Sequence, residues 1–325
     1  REEEEEDGGE EESERSEALL EGVLDEDTAA EGLHTFGRSA PGTEYVYLHL
    51  SLPVSTSKKL KKFSLKCLSA QIFPFFSTEN SWPYLSCISH MPYLVELNAS
   101  KNQLSTYFNF KAPKNLREVD FSHNQIPKMR DLSAYQSLTK LLLDFNEIQE
   151  IRGLERCHSL RHLGLAHNRL SAIGGLENLP LRSLDLSFNQ IQKVNGLKSL
   201  KALQRVDLSN NKINCLEGLE EHDVLEVINL EDNQVAELSE LKWIEDLPLL
   251  RVLNLLKNPL QEKDGYWLSA IFMLLQVTDL DLKKVSVTEK VAAVNREDPP
   301  PEVVAAEDHR THVGYSSRQP QRVLD

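Results

Sequence analysis

The chain has 325 residues, 40% of them apolar, with 51 acidic and 36 basic side chains and a formal charge of −15. Residues 1–32 hold 16 Asp or Glu against Arg1 and Arg15, so they carry nearly all of that charge and the rest of the chain is close to neutral. A chain of this length and apolar content buries at least one large core, which excludes wholesale disorder. Its longest apolar-rich run, residues 267–277, is about half of what a bilayer crossing needs, and its acidic start is the opposite of a secretory signal.

In chain order, residues 1–18 (REEEEEDGGEEESERSEA) have no means of forming a core and read as an acidic disordered arm. Residues 19–52 read as an N-terminal cap. Thr28 and Glu31 form a capping box that opens a short helix ending at Gly37, and YVYLHLSL (45–52) alternates as a first strand. Residues 53–86 break the pattern with KKLKKFSLKC, FPFF and SWPYL, and only Asn80 falls on the frame described next, so a degenerate or disordered insert is expected. The cluster of Lys58, Lys59, Lys61, Lys62 and Lys66 is a solvated run that can pair with the acidic arm; it does not predict a nucleic-acid or membrane partner.

From residue 87 to 260 the chain repeats. The pattern L-x-x-L-x-L-x-x-N-x-L starts at Leu94, Leu116, Leu138, Leu160, Leu181, Leu203, Leu225 and Leu250. Its asparagines, Asn102, Asn124, Asn146, Asn168, Asn189, Asn211, Asn233 and Asn258, recur at intervals of 22, 22, 22, 21, 22, 22 and 25 residues. The x-L-x-L-x core predicts a short strand with one apolar face. The Asn that follows can turn its amide inward onto backbone groups at the bend, giving a buried ladder. Between strands recur segments such as IQEIRGL, LSAIGGL, IQKVNGL and INCLEGL, with Gly153, Gly175, Gly196 and Gly218 on a tight outer side too short for an α-helix. The fold class is therefore an α/β solenoid, a right-handed arc with a parallel concave sheet of roughly eight to ten strands and a 3-10 or irregular convex side. One repeat has too few apolar groups to stand alone, so both ends need caps. Residues 259–283 supply the second cap, with Tyr266, Trp267, Ile271, Phe272, Leu275 and Leu280 as its apolar face. Residues 284–325 form a tail with helical spacing at 288–295 and 302–313 around Pro299-Pro300-Pro301.

Cys67, Cys87, Cys157 and Cys215 are scattered without a CxxC pair, which predicts neither a disulfide framework nor zinc. His158 and His162 have a metal-pair spacing that works only on a helix, and here it straddles a turn and a strand, so no metal is expected. His123 and His167, each just before a ladder Asn, read as surface residues.

The third, fifth and seventh positions of each repeat point away from the buried leucines, onto the concave face. Glu96, Glu118, Asp120, Asp185 and Asp207 would attract a basic surface there, with Arg205 beside the last two, and Leu142, Phe145, Phe188, Val227 and Val252 would supply apolar anchors. Phe145 and Phe188, next to the ladder, could equally pack in the core. Asp185 and Asp207 are expected to stack as neighbours outside the core, replaceable without loss of fold. Paired carboxylates perform acid/base catalysis only in a pocket that excludes water. An open face does not provide one, so the prediction is partner binding, with no catalytic residue, no metal and no cofactor.

These repeats resemble the 22-residue class of intracellular leucine-rich repeats, which includes a phosphatase regulatory subunit and many ciliary and axonemal proteins. More closely, GVLDEDTAAEGLHTFGRSAPGTEYVYLHLSLP, HDVLEVINLEDN, RVLNLLKNPLQEK and DPPPEVVAAEDHRTHV, in that order, are similar to the N-terminal half of the vertebrate leucine-rich repeat and guanylate kinase domain-containing family. Residues 53–86 depart from that family's clean repeat, and no G-x-x-x-x-G-K loop is present to cradle a nucleotide phosphate. The tail 284–325 would lead toward the guanylate kinase-like half, whose catalysis does not transfer to this chain. The resemblance implies a non-enzymatic cytoplasmic adaptor, associated with microtubules at the manchette, basal body or cilium, and also with the acrosome. Its partners would be cytoskeletal, microtubule-associated or ciliary proteins, and its processes sperm head shaping and axoneme growth in spermatogenesis. The alternatives are a regulatory subunit of a protein phosphatase or the targeting half of a guanylate kinase-like enzyme.

Overall fold

Each repeat places an apolar residue between two outward ones, and a strand of three residues is the whole of its regular structure. A computed structural model describes residues 33–38, 45–51, 88–89, 92–102 and 104–295. The acidic arm, the insert at 53–86 and the helical pattern at 302–313 lie outside them. The repeat strands are β3 (Glu96–Asn98), β4 (Glu118–Asp120), β5 (Lys140–Leu142), β6 (His162–Gly164), β7 (Ser183–Asp185), β8 (Arg205–Asp207), β9 (Val227–Asn229) and β10 (Val252–Asn254). Their middle residues, Leu97, Val119, Leu141, Leu163, Leu184, Val206, Ile228 and Leu253, are at most 2% exposed, which puts the core behind the sheet.

The chain divides into two compact units, Arg1–Glu147 with Arg156–Leu160, and Ile148–Glu155 with Arg161–Asp325. In the first, β2 (Tyr45–Ser51) runs parallel to β3 with Leu50 opposite Leu97, and β3, β4 and β5 continue in parallel register. Preceding β2 is β1 (Leu33–Arg38), antiparallel to it with His34 opposite His49 and Gly37 opposite Val46. This corrects the short helix expected to run from Thr28 to Gly37: among the described residues, Leu33–Arg38 is strand. The physical reason is the edge of β2, whose unpaired N–H and C=O groups a hairpin strand satisfies, whereas a helix of two turns is marginal. Behind β4 the core is aromatic, with Phe108 at 4.1 Å from Tyr135 and 5.2 Å from Phe121 between ring centres.

In the second unit β6 to β10 are parallel and in register. Gly196 and Gly218 are required behind this sheet: a Cβ on Gly196 would lie 2.1 Å from the Ile173 carbonyl oxygen, and one on Gly218, at φ +108°, 2.4 Å from the Asn195 Cα. Turns of 3-10 type at Asn195–Leu197, Leu238–Trp243 and Pro259–Glu262 make up the regular structure of this outer side.

The C-terminal cap comprises helix α1 (Tyr266–Met273), strands β11 (Asp279–Leu280) and β12 (Lys283–Lys284), and helix α2 (Val287–Val294). β11 extends the parallel sheet beside β10, and then the chain reverses through Asp281 and Leu282, both left-handed, into antiparallel β12. That two-residue hairpin has the handedness that matches strand twist. The Asp281 carboxylate accepts from the Leu255 amide (2.7 Å), from Gln261 (2.8 Å) and from the Tyr266 hydroxyl (2.8 Å). It thereby takes the place of the strand carbonyl that meets the equivalent amide one repeat earlier, where Leu230 donates to Asn254. Burial and the Asp281 charge both push the Tyr266 hydroxyl pKa up, so it stays a donor. Ser286 and Glu289 form a capping box at the start of α2, and Trp267 donates to Glu289 (2.9 Å). Leu275, placed in the apolar face from its spacing, is 36% exposed. No helix among the described residues is long and apolar enough to cross a membrane.

Candidate functional site: the open face of the sheet

The ladder asparagines fix where every strand ends. Asn211 shows the full pattern: its amide donates to the Leu208 and Ser209 carbonyls of its own repeat and to Leu186 of the previous one, at 3.0, 3.1 and 3.0 Å, while its oxygen accepts from the Ile191 amide at 3.0 Å. Asn124, Asn146, Asn189, Asn233 and Asn258 make the same four kinds of bond. Asn168 accepts from Ile148 and donates to Leu165 and Ala166. Asn102, at the first repeat, is half-buried and donates to Ala99 and Ser100.

The residue just before each ladder Asn is left-handed in all eight repeats: Lys101, His123, Phe145, His167, Phe188, Asn210, Asp232 and Lys257 have φ between +52° and +58°. This conformation costs an ordinary side chain about 1–2 kcal/mol, with Asn and Asp the exceptions. In neither unit is any of these side chains buried. Phe145 is 42% and Phe188 45% exposed, which settles the choice between core and contact in favour of the surface. Within the first unit His123 stacks on Phe145, with 4.1 Å between ring centres and 12° between planes. Within the second, His167 stacks on Phe188 at 3.9 Å and 11°. The two histidines read as plain surface residues are therefore supports for the exposed rings.

The fifth-position carboxylates have a structural task. Asp120 accepts from the Ser122 amide (2.8 Å). One oxygen of Asp185 accepts from both the amide (3.0 Å) and hydroxyl (2.7 Å) of Ser187. Asp207 does the same for Ser209 (2.9 and 2.6 Å), and its second oxygen accepts from Asn229 (2.9 Å). Asn98 repeats the arrangement with Ser100. These are Asx turns, which hold the chain as it leaves the strand. Asp185 and Asp207, expected to be replaceable without loss of fold, therefore each support a turn. They do lie opposite each other in adjacent strands, but arginine at either place removes the acceptor of a turn.

The other predicted face residues are spread along the strands. Glu96 pairs in register with Glu118, and Glu118 with Lys140, whose ammonium is 3.6 Å from the Glu118 carboxylate. Leu142 is half-buried at the end of β5. Val227 and Val252 are half-buried neighbours in β9 and β10, and Arg205 is exposed beside Val227. Glu231, a residue the sequence reading passed over, accepts from Asn254 (3.1 Å) and pairs with Lys257 (2.7 Å). The bond from Lys257 holds the Glu231 carboxyl below the usual glutamate range.

Three buried residues that hydrogen-bond through their side chains behind the sheet were also missed. Tyr135, Cys157 and His222 each lie three residues before a repeat's first leucine. The Tyr135 hydroxyl donates to the Phe110 carbonyl (2.8 Å), the Cys157 thiol to Leu132 (3.7 Å), and a His222 ring nitrogen lies 3.0 Å from the Leu197 carbonyl oxygen. Their shared offset in the repeat was the signal available in the sequence. Burial pushes the Tyr135 hydroxyl pKa up, which keeps it a donor.

Comparison with known proteins agrees with this geometry. A leucine-rich repeat family model matches residues 180–297. The chain is 58% identical over 309 residues to a human leucine-rich repeat and guanylate kinase domain-containing protein, a match that covers 95% of this chain and 37% of that protein. The mouse protein of the same name is 54% identical over 104 residues, 32% of this chain and 13% of that one. The chain thus spans well under half the length of these relatives. Among solved structures, an internalin from Listeria monocytogenes superposes with a TM-score of 0.54 at 21% identity, over 66% of this chain and 63% of that one. The TLR13 chain of a TLR13–ssRNA13 complex does so with a TM-score of 0.53 at 28% identity, over 61% of this chain and 30% of that one. The similarity to the internalin concerns the fold alone.

Proposed function

The chain is a leucine-rich repeat protein, homologous to the leucine-rich repeat and guanylate kinase domain-containing proteins of human and mouse, and from that premise we propose that it is a non-enzymatic scaffold that binds protein partners through the open face of its sheet. The observation that carries the reading is the pair of phenylalanines, Phe145 and Phe188, kept nearly half exposed in a left-handed turn that Asn210 and Asp232 make at lower cost in later repeats. Exposed aromatic anchors beside a polar row are the composition of a protein-binding surface. A catalytic use of the same face is less well supported, because Asp185 and Asp207 are engaged in turns on an open sheet.

The finer part of the proposal rests on the resemblance: cytoplasmic partners of microtubule, manchette, basal body or ciliary type, in sperm head shaping and axoneme growth, with no cofactor required. The test is capture from testis lysate by the full chain, read by mass spectrometry, against Arg205→Glu with Val227→Glu, two changes on the open face. Loss of microtubule-associated or axonemal proteins from the double variant supports the scaffold reading. Partner sets identical for the two proteins overturn it, and recovery of a phosphatase catalytic subunit alone moves the reading to a phosphatase regulatory subunit.

A further inference from the structure

We propose that the rim of the open face around Phe188 reads a single arginine side chain of the partner, held between the exposed phenylalanine ring and the carboxylates of Asp185 and Asp207. The proposal rests on the open-face reading above and adds the chemistry that the face recognises.

Three features of the second unit converge there. One face of the Phe188 ring is backed by His167 at 3.9 Å and nearly parallel, so the ring is held in place before any partner arrives. On the side of the following repeat the equivalent residue is Asn210, and Phe188 makes no other ring contact among the described residues. The Phe188 amide donates to the Ser209 carbonyl at 2.9 Å, which holds its backbone alongside the turn that Asp207 supports. Second, Asp185 uses one carboxylate oxygen for both bonds to Ser187, and its other oxygen accepts no hydrogen bond among the described residues. Third, Asp185 and Asp207, both half-buried, stand opposite each other in β7 and β8, three residues before Phe188 and Asn210 in their repeats.

An aromatic face next to carboxylates favours a cation over an apolar side chain. A guanidinium fits better than an ammonium, because its plane stacks on the ring while its edge donates in parallel to a carboxylate. Arg205, exposed at the opposite end of β8 and in no ion pair among the described residues, repels a run of positive charge. The partner segment is therefore one with an isolated arginine, and an acidic neighbour of that arginine would meet Arg205.

Two substitutions remove the recognition and keep the fold. Asn at position 188 is what the next repeat already carries at the same left-handed place, as Asn210. Asn at position 185 keeps the turn, since Asn98 accepts from Ser100 in the same way. The full chain is titrated with a capped glycine-rich peptide that has one arginine and one glutamate, followed by backbone amide NMR. Matching peptides carry lysine or citrulline in place of arginine, and oligolysine serves as a charge control. Expected are shifts centred on residues 185–188 and 207–210, and a loss of at least fivefold in affinity with citrulline, with Phe188→Asn and with Asp185→Asn, at unchanged unfolding temperature. Equal binding of the citrulline peptide or of either variant, shifts centred elsewhere, or stronger binding of oligolysine overturns the proposal. Lysate capture by Phe188→Asn separates the two levels. If Phe188→Asn keeps the partners that Arg205→Glu with Val227→Glu loses, the open-face reading stands and the arginine site falls.

Discussion

A single asparagine amide does for each repeat what a helix cap does for a helix: it meets backbone groups that the bend leaves without partners. Asn211 satisfies three carbonyls and one amide while 8% exposed, and water cannot replace it there. Asn211→Ala is expected to lower stability by about 1–3 kcal/mol, the cost of leaving buried backbone groups unpaired. Urea unfolding of the two proteins measures this, and an unchanged midpoint would remove the structural role given to the ladder. The same scale explains what the sequence leaves out for the fifth-position carboxylates. Their place on the outward face was legible from the strand alternation, but the serine two residues on, Ser187 or Ser209, turns them into acceptors of a local turn. Alternation gives a side chain's direction and says nothing about its bonds.

At the level of elements, a repeat array has an open edge at each end, and each edge is closed here by a hairpin. At the C-terminal end the closing contact is Asp281, a carboxylate only 4% exposed that takes three donors, from Leu255 just after β10, from the 3-10 turn and from α1. Hydrogen bonds to a charged group contribute about 1.5–3 kcal/mol each, and the Leu255 amide would lose its partner. Asp281→Ala is therefore expected to destabilise the cap, with hydrogen exchange rising first at Leu255 and through α1. Exchange that rises evenly across the second unit would show that the cap has no separate role. Lys283 and Lys284 occupy the last strand, and charge on an edge strand hinders pairing with another chain.

For the molecule as a whole, charge follows position along the chain, because each repeat neighbours only the next. Residues 217–246 hold eleven acidic residues against Lys242 alone, so acid conditions act first on the late repeats. Glu231, Glu220 and Glu289 all have carboxyls held below the ordinary value of 4.5. For Glu231 the main cause is the bond from Lys257. For Glu220, burial opposes the shift and bonds from its own and the Gly218 amide and from Lys198 outweigh it. For Glu289 the cause is the Ser286 cap. A carboxyl with a lowered folded pKa stabilises the fold above its unfolded value and loses that contribution as pH falls through the folded one. Stability is thus expected to be level from neutral pH down to the region of 4.5 and to fall below it. Glu231→Gln should make that fall shallower, as followed by urea unfolding across the pH range. A variant whose acid profile matched the parent would show that the Lys257 pair is without effect.

The sequence by itself determined the parallel strands, their spacing and the ladder, because eight copies of one pattern, most of them 22 residues apart, leave one way to bury a leucine stripe whose repeats cannot stand alone. The tertiary structure alone decided three matters. Leu33–Arg38 became a strand, since the edge of β2 lies beside it only after folding. Asp185 and Asp207 became turn supports, since their serine partners close on them only in the bend. Phe145 and Phe188 came to the surface, since the left-handed turn directs each ring outward and the histidine of the preceding repeat, once stacked in place, supports it.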